Sequence, residues 1–364
     1  MSRMLEPLII GDLEISIPII QGGMGVMVST APLAAAVAEC GGAGTIASVG
    51  LGYGTEENET NFLKASREGL EREIRRAREL TRGVVGINIL TVASNYADLA
   101  RTGIREKADF IISGAGLPLR LPEYAGESAT KLIPVVSSAR AVNIIIRTWR
   151  KRYDRLPDAI VVEGPLAGGH LGFRPEHLHP CGDNGNVLEQ LVADVLKVVA
   201  EYKGTSGRQI PVIAAGGIFN GKDVARFLGL GAAGVQIATR FVATHECTVP
   251  DTFKNLYLAA GKDDLVIIPS PVGMPGRAIK TKLIDRIMRG ERVPFKCNYR
   301  CLRVCDPKTA AYCIARAMFN AVSGDIDNAV VFAGSNVTRV NKIVSVKELL
   351  DEIVGETSAE LART

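Results

Sequence analysis

The sequence predicts an α/β protein, an eight-stranded (β/α) TIM barrel with a small inserted cap domain. Eight short apolar runs alternate regularly with longer amphipathic stretches between residues 17 and 240. The runs are apolar almost throughout, so both faces of each strand should be buried, as in a parallel sheet. Most runs end in glycine or a polar residue, and barrel active sites lie at that end. A doubly wound open sheet is the alternative, but eight strands with intervening helices favour the barrel.

The elements follow one another in a regular order. The predicted strands occupy residues 17–23, 43–49, 83–90, 109–116, 131–138, 159–165, 210–217 and 232–240. The predicted helices lie between them, at residues 32–40, 61–80, 94–107, 139–152, 186–202 and 220–231. The alternation of strands and helices ends after Thr239. This change of pattern divides the chain into three predicted parts. These are a barrel over 1–245, an inserted cap over 246–304, and residues 305–364, which return to the barrel and end in a helix with a frayed tail.

Composition and charge exclude several classes of protein. The net charge is only +4, and the densest basic run, residues 147–152, has no aromatic platform, so we expect no nucleic-acid partner. No run approaches the roughly 20 apolar residues that span a bilayer, so we expect no membrane partner. Seven cysteines and no export signal at the start predict reduced thiols in the cytoplasm. The expected partners are a small-molecule substrate and further copies of the chain in a homo-oligomer.

Two strand ends form a predicted anion site. The run IPVIAAGG ends in Gly216 and Gly217, and a helix opens at about Asn220. Bare backbone N–H groups beside a helix N-terminus bind anions, and the next strand adds the amides of Ala238 and Thr239. Barrel proteins often hold phosphate on the loops after strands seven and eight. The alternative is a pair of tight turns without a ligand.

A second group of residues suits a flat ring. The run IPIIQGGMG brings Gly22, Gly23 and Met24 to the mouth of the barrel, where bare backbone permits close approach and methionine offers a soft surface. Asn88 ends another strand and can both donate and accept hydrogen bonds. GGAGTIA at 41–47 has dinucleotide-type glycine spacing, but it runs from a helix into a strand, which is the reverse of the required order.

The stretch VVEGPLAGGHLGF carries the candidate catalytic residue. Glu163 and His170 follow the sixth strand and therefore face the same mouth as the anion site. The neighbouring glycines have no side chains that could pack against His170, so its imidazole should project into the cavity and titrate near neutrality. The alternative is that His170 has a structural role. His177 and His179 are interpreted as loop residues, and His245 as a structural histidine.

The run CNYRCLRVC spaces three cysteines four residues apart, and a fourth follows. On a helix this spacing would place three thiols on one face, and the neighbouring Lys and Arg residues would favour thiolates. Four clustered thiolates could hold zinc or an iron–sulfur cluster. The two-residue gaps usual in such sites are missing, so no metal site is assigned and free thiols are the alternative for Cys297, Cys301, Cys305 and Cys313.

The motifs QGGMG, GINIL, EGPLAGGHLG, IPVIAAGGI and IATRF, in this order, resemble the nitronate monooxygenase family, which includes the flavin-dependent enoyl-acyl-carrier-protein reductase II. The likeness covers about residues 15–245 and implies FMN in a TIM barrel. It implies phosphate on the amides of Gly216, Gly217, Ala238 and Thr239. It places the ring against Gly22, Gly23, Met24 and Asn88, with Glu163, Ala167 and Gly169 lining the site. The chain departs from the family at Ala238, where glycine is usual, and at Pro165 and Leu166, which make the approach less polar.

The resemblance makes an FMN-dependent nitronate monooxygenase, which oxidises alkyl nitronates with O2, the leading hypothesis. His170 would contact the nitro group or act as a base on a neutral nitroalkane. The alternative enzyme is an NAD(P)H-dependent enoyl-thioester reductase that uses the same FMN site, with His170 helping to protonate the α-carbon. An IMP dehydrogenase-like barrel would need a catalytic-cysteine loop that the chain lacks. A flavin or iron–sulfur electron-transfer protein is the non-enzymatic alternative.

Overall fold

The computed structural model describes residues 5–55, 61–182, 186–297 and 299–363. Its centre is a sheet of eight parallel strands, each within one of the predicted runs: β3 (Ile19–Gln21), β4 (Gly44–Ala47), β5 (Val85–Leu90), β6 (Phe110–Gly114), β7 (Lys131–Val136), β8 (Ile160–Glu163), β10 (Val212–Ala215) and β11 (Gly234–Ile237). The strands are hydrogen-bonded in the order β3-β11-β10-β8-β7-β6-β5-β4. A parallel bridge between Ile20 and Ala43 joins the two ends. The sheet is therefore closed, and the predicted barrel is confirmed.

Helices surround the barrel, and all of them except the short helix Leu121–Ala125 lie at positions that the apolar periodicity predicts. They are α1 (Ala31–Glu39), α2 (Phe62–Leu80), α3 (Tyr96–Arg105), α4 (Leu121–Ala125), α5 (Ala139–Tyr153), α6 (Val187–Ser206) and α7 (Gly221–Gly229). No helix among the described residues is long and apolar enough to cross a membrane.

The apolar strands are buried on both faces, which explains why their sequences do not alternate. In β6, Phe110 and Ile112 belong to the cluster inside the barrel, whereas Ile111 packs outward against the helices. A hairpin of β1 (Leu8–Ile10) and β2 (Leu13–Ile15) adds Leu8, Ile10 and Ile15 to the inner cluster. The barrel interior is thus a filled core, and a cavity opens where the strands end.

A cap lies over that end of the barrel. It contains α8 (Thr239–Val242), α9 (Asp251–Ala259), β12 (Leu265–Pro269), β13 (Pro275–Ile279), α10 (Lys282–Met288), α11 (Ile314–Val322) and β14 (Val331–Phe332). β13 pairs antiparallel with β12 and β14, and also with β9 (Gly169–His170) from the loop after β8. The cap is therefore hydrogen-bonded to the loop that carries His170. A division of the chain at residues 245 and 304 stays a prediction.

The C-terminal helix α12 (Val346–Leu361) returns to the barrel wall and packs on α7. Ser345 and Glu348 form a capping box at its start. The prediction of a frayed tail from residue 355 is wrong, because Thr357 and Ser358 are buried and the Glu356 carboxylate accepts a 2.8 Å hydrogen bond from the Gly221 N–H. Only Thr364 lies outside the described residues of this tail.

Candidate active site

One cavity at the carboxyl ends of the barrel strands brings together all twelve residues predicted from the sequence. They are Gly22, Gly23, Met24, Asn88, Glu163, Ala167, Gly169, His170, Gly216, Gly217, Ala238 and Thr239. Further residues complete the walls, among them Tyr53 and Phe62, from the segment after β4 and the start of α2, and Val272, Leu302, Met318 and Phe332 from the cap. The roles of the individual residues stay predictions, but their placement in one cavity is a property of the structure.

Gly23 lies directly against Asn88. A Cβ at residue 23 would be 2.3 Å from the Asn88 Cβ and 2.9 Å from its Cγ, so only glycine fits there. The Gly22 N–H donates a 2.8 Å hydrogen bond to the Ile237 carbonyl, which fixes this stretch beside β11. The result is a flat wall of bare backbone beside an amide side chain.

Gly216 and Gly217 have φ of +90° and +89°, a left-handed conformation that side chains with a Cβ rarely adopt. A Cβ would lie 2.9 Å from the Gly164 oxygen at residue 216 and 2.9 Å from the Leu166 Cβ at residue 217. The Asn336 side-chain amide donates a 2.6 Å hydrogen bond to the Gly217 carbonyl. The conformation and these contacts require two glycines here and hold the turn open.

The loop after β11 supplies the other half of the predicted anion site. Ala238 has a φ of −123°, so alanine replaces the family's usual glycine without backbone strain and keeps its N–H. The Thr239 Oγ1 accepts a 3.1 Å hydrogen bond from the Gly334 N–H. Gly334 and Asn336 were not predicted from the sequence, because the short segment FAGSNV shows no periodicity and is only weakly similar to the family pattern.

Glu163 ends β8 and faces the cavity without a cation or a hydrogen-bond donor among the described side chains. Its burial raises the pKa of the carboxyl to about 8. Since water in the cavity still reaches it, the side chain is half-buried rather than sealed. At neutral pH this group is therefore a carboxylic acid that can donate a hydrogen bond or a proton.

His170 is held by the cap more closely than the sequence predicts. Its Nε2 lies 2.8 Å from the Ser270 Oγ, and its ring packs edge-on against Phe332 at 4.9 Å between centroids. Burial lowers the pKa of the imidazole to about 4. The prediction of titration near neutrality is wrong, because the apolar surroundings disfavour the charged ring. His170 is a neutral donor and acceptor at pH 7.

Arg277 holds the loop that carries His170, and no motif in the sequence predicts this role. Its side chain is fully buried in β13 and forms no ion pair among the described residues. The guanidinium donates to four backbone carbonyls of this loop: Pro165 at 2.8 Å, Ala167, His179 at 2.8 Å and Pro180 at 2.9 Å. Burial lowers its pKa to about 10, so it stays cationic at neutral pH. One cation thus joins the two ends of the loop around His170.

The cysteine-rich run does not form the expected helix face. Its backbone pairs with the loop after β5, since Leu302 bridges Ala93 and the Ser94 N–H donates to the Cys301 carbonyl at 3.0 Å. Burial, followed by the neighbouring thiols, raises the pKa of Cys301 to about 12, and burial also raises the pKa of Cys305 and Cys313. The expectation of thiolates is therefore wrong. All seven cysteines are free, and no group of three or more His, Cys, Asp or Glu in the described ranges has metal-site geometry.

Residues 6–356 match the sequence model of the family described as Nitronate monooxygenase. The chain belongs to this family. It is a flavin-dependent oxidoreductase, and membership implies FMN as the cofactor. The predicted resemblance, drawn from five short motifs, is confirmed over nearly the whole chain.

Individual relatives differ in the activity that their names give. Two proteins named (3aS,4S,5R,7aS)-5-hydroxy-7a-methyl-1-oxo-octahydro-1H-indene-4-carboxyl-CoA dehydrogenase are similar. The one from Mycobacterium tuberculosis is 31% identical over 76% of this chain and 66% of its own length, and the one from Rhodococcus jostii is 31% identical over 74% and 64%. The matched region thus spans slightly less than two thirds of these relatives. A probable nitronate monooxygenase from Staphylococcus aureus is 27% identical over 77% of this chain and 79% of its own.

Solved structures show the same fold over the whole chain. FabK from Thermotoga maritima superposes with a TM-score of 0.74 at 28% identity, covering 96% of this chain and 95% of its own. Nitroalkane oxidase from Streptomyces ansochromogenes has a TM-score of 0.71 at 21% identity, covering 95% and 97%, and at that identity the likeness concerns the fold alone.

The cavity fits FMN by three independent features. The left-handed glycines at 216 and 217 expose backbone where a Cβ would otherwise stand, as a phosphate site needs. The bare wall at Gly22 and Gly23 leaves room for a ring to stack. The Gln236 Oε1 and the Ser48 Oγ, both in residues that line the cavity, are buried without a partner in the described part of the chain and can bond to a polar ring edge.

Proposed function

We propose that this protein is an FMN-dependent oxidoreductase that acts on the carbon–carbon bond next to the carbonyl of an acyl thioester. The observation that carries the proposal is the charge of the cavity. None of the described residues that line it is Lys or Arg, and the carboxyl of Glu163 and the imidazole of His170 are both neutral at pH 7.

A neutral, largely apolar cavity selects for a neutral ligand. An alkyl nitronate is an anion, and moving an anion into such surroundings without a cation is costly. A thioester carbonyl with an aliphatic or alicyclic acyl group is neutral, and the side chains of Tyr53, Phe62, Leu302 and Met318 can pack against it. The carboxyl-CoA dehydrogenases that this chain resembles, and the FabK structure, support the same choice.

The chain's own residues supply proton handling and orientation. FMN, when bound, supplies two-electron transfer between NAD(P)H and the β-carbon. Reduction of the double bond also needs a proton at the α-carbon, and Glu163 holds a proton at neutral pH. His170, fixed through Ser270, offers a neutral ring nitrogen to orient the carbonyl oxygen.

Nitronate oxidation is the second candidate, and sequence reasoning ranked it first. The family description, the QGGMG motif and the Staphylococcus relatives favour it. In that reaction the neutral Glu163 and His170 would donate hydrogen bonds to the nitronate oxygens. The absence of a cation on the described walls of the cavity places it below the thioester reaction.

Anaerobic stopped-flow spectroscopy of the FMN-loaded protein tests the choice. We expect NADH or NADPH to bleach the flavin and an enoyl-CoA to restore its colour with formation of the saturated thioester. An alkyl nitronate is the matched comparison. Bleaching by the nitronate, O2-dependent release of nitrite, and no response to any enoyl thioester would contradict the proposal and favour nitronate oxidation.

A further inference from the structure

Positive charge is concentrated on one segment of the cap. Residues 282–316 contain nine Lys or Arg and three Asp or Glu, so this segment carries more net positive charge than the whole chain, whose formal charge is +4. Part of this charge is internally paired, since Arg286 and Arg289 both bond to Glu291 and Lys282 bonds to Asp327.

Three arginines of this segment, Arg300, Arg303 and Arg316, are exposed, and we call them the rim arginines. Their side chains form no ion pair or hydrogen bond with the described residues. Each is next in sequence to a residue that lines the cavity: Arg300 lies between Tyr299 and Cys301, Arg303 follows Leu302, and Arg316 follows Ala315. The cavity is neutral, whereas its edge at the cap is cationic.

Two of these charges also act on buried tyrosines near the cavity. Burial raises the pKa of Tyr53, a cavity residue, to about 12, and the Arg316 charge opposes that rise. The Arg303 charge acts in the same sense on Tyr96, at the start of α3, and Asn95 and Leu99, nearby in sequence, line the cavity.

We infer that the rim arginines bind the phosphate groups of a coenzyme A thioester while its acyl group occupies the neutral cavity. The inference rests on the proposed function. Planar guanidinium groups bind phosphate oxygens through two parallel N–H donors, and they bind best where no carboxylate competes. Coenzyme A carries a pyrophosphate and a 3′-phosphate at one end of a long neutral arm, so a neutral cavity with a cationic edge matches its two ends.

Binding measurements on the FMN-loaded protein test the inference without turnover. The ligands are coenzyme A, dephospho-coenzyme A, which lacks the 3′-phosphate, and pantetheine, which has no phosphate. We expect affinity to fall in that order and to weaken with salt for the first two only. The triple variant Arg300→Gln, Arg303→Gln, Arg316→Gln should bind coenzyme A about tenfold less tightly, as expected for three exposed ion pairs, and pantetheine as before.

A matched control removes the same charge elsewhere. Arg147, Arg150 and Arg152 are exposed on α5, on the barrel wall, and their triple Gln variant should bind coenzyme A like the parent protein. Equal loss in both variants would show a general charge effect and overturn the inference. So would unchanged coenzyme A binding in the rim variant, or a loss that affects only NADPH or only an acyl carrier protein.

The outcomes separate this inference from the proposed function. If coenzyme A binds through the rim arginines but no thioester is turned over, the phosphate site stands and the proposed reaction is wrong. If thioesters are turned over and the rim variant keeps the parent KM, the reaction stands and the phosphate site is wrong.

Discussion

Replacing Arg277 with methionine should displace the loop that carries His170. Methionine has a similar length and no donor, so four backbone carbonyls of this loop lose their shared partner. Hydrogen bonds to a charged group contribute about 1.5–3 kcal/mol each, or about 6–12 kcal/mol in gross terms. The unfavourable burial of the guanidinium offsets several kcal/mol of this, which leaves a net loss of about 3–5 kcal/mol.

Two measurements on this variant report on different properties. A loss of that size should lower Tm by about 6–10 °C, since a long chain loses about 2 °C in Tm for each kcal/mol of stability. Because Ala167 and His170 lie between the clamped carbonyls, turnover per bound flavin should also fall by at least tenfold. Arg277→Lys should recover part of both, since an ammonium has three donors for four carbonyls.

Arg155 provides the matched control. It donates to the Gly126 and Thr130 carbonyls at 3.1 and 3.3 Å and pairs with Asp158 at 3.2 Å, just before β8 begins, at the opposite end of the barrel. Arg155→Met should lose stability but keep its turnover per bound flavin. If Arg277→Met also keeps its turnover per flavin, Arg277 merely stabilises the fold and the positioning argument is refuted.

Three further predictions concern the cavity. Gly217→Val should lower the flavin content while the barrel stays folded, because residue 217 has a φ of +89° and a Cβ there would contact Leu166. A flavin content equal to that of the parent protein would show that the phosphate binds elsewhere. Glu163 binds its proton more tightly in the folded state, so it lowers the unfolding free energy as pH rises from about 4.5 to 8, by at most about 1.4 kcal/mol per pH unit. His170 binds its proton less tightly in the folded state and has the opposite effect between about pH 4 and 6.5, so the net fall should appear between about pH 6.5 and 8. Denaturant titrations across that window should show no such fall in Glu163→Gln, and a parental pH profile in this variant would contradict the pKa. His170→Ala should reduce thioester turnover by about 10²–10⁴-fold. It should also destabilise the cap slightly, because the contacts with Ser270 and Phe332 are lost. Full activity of this variant would exclude a catalytic role for His170.

The barrel was predictable because each of its strands is buried on both faces and each helix on one. Such burial leaves a periodic signal in the sequence, and every strand of the closed sheet falls within a predicted run. The glycines at 22–23 and 216–217 were predictable for a related reason, since a backbone approach that excludes a Cβ restricts the residue type at that position.

The cap contributions were not predictable from local pattern. Ser270, Arg277 and Asn336 form hydrogen bonds with residues about 100 positions away in sequence. Individual contacts of this kind leave no periodic signal in the sequence. The shift in the His170 pKa depends on how completely the cap covers the ring, which only tertiary structure decides. The cysteine run failed as a helix because backbone pairing with residues 92–94 overrode its four-residue spacing.

The two-residue strand β9 has a consequence for how this enzyme family can diversify. Gly169 and His170 are hydrogen-bonded into the same antiparallel sheet as the cap hairpin, and Phe332 of that sheet contacts the imidazole. An exchange of cap sequence that reshapes the cap wall of the cavity therefore also changes the contacts of the imidazole. Under the proposed function, substrate choice and reactivity are coupled on this scaffold, and a cap transplanted from a relative would bring its own contacts to His170.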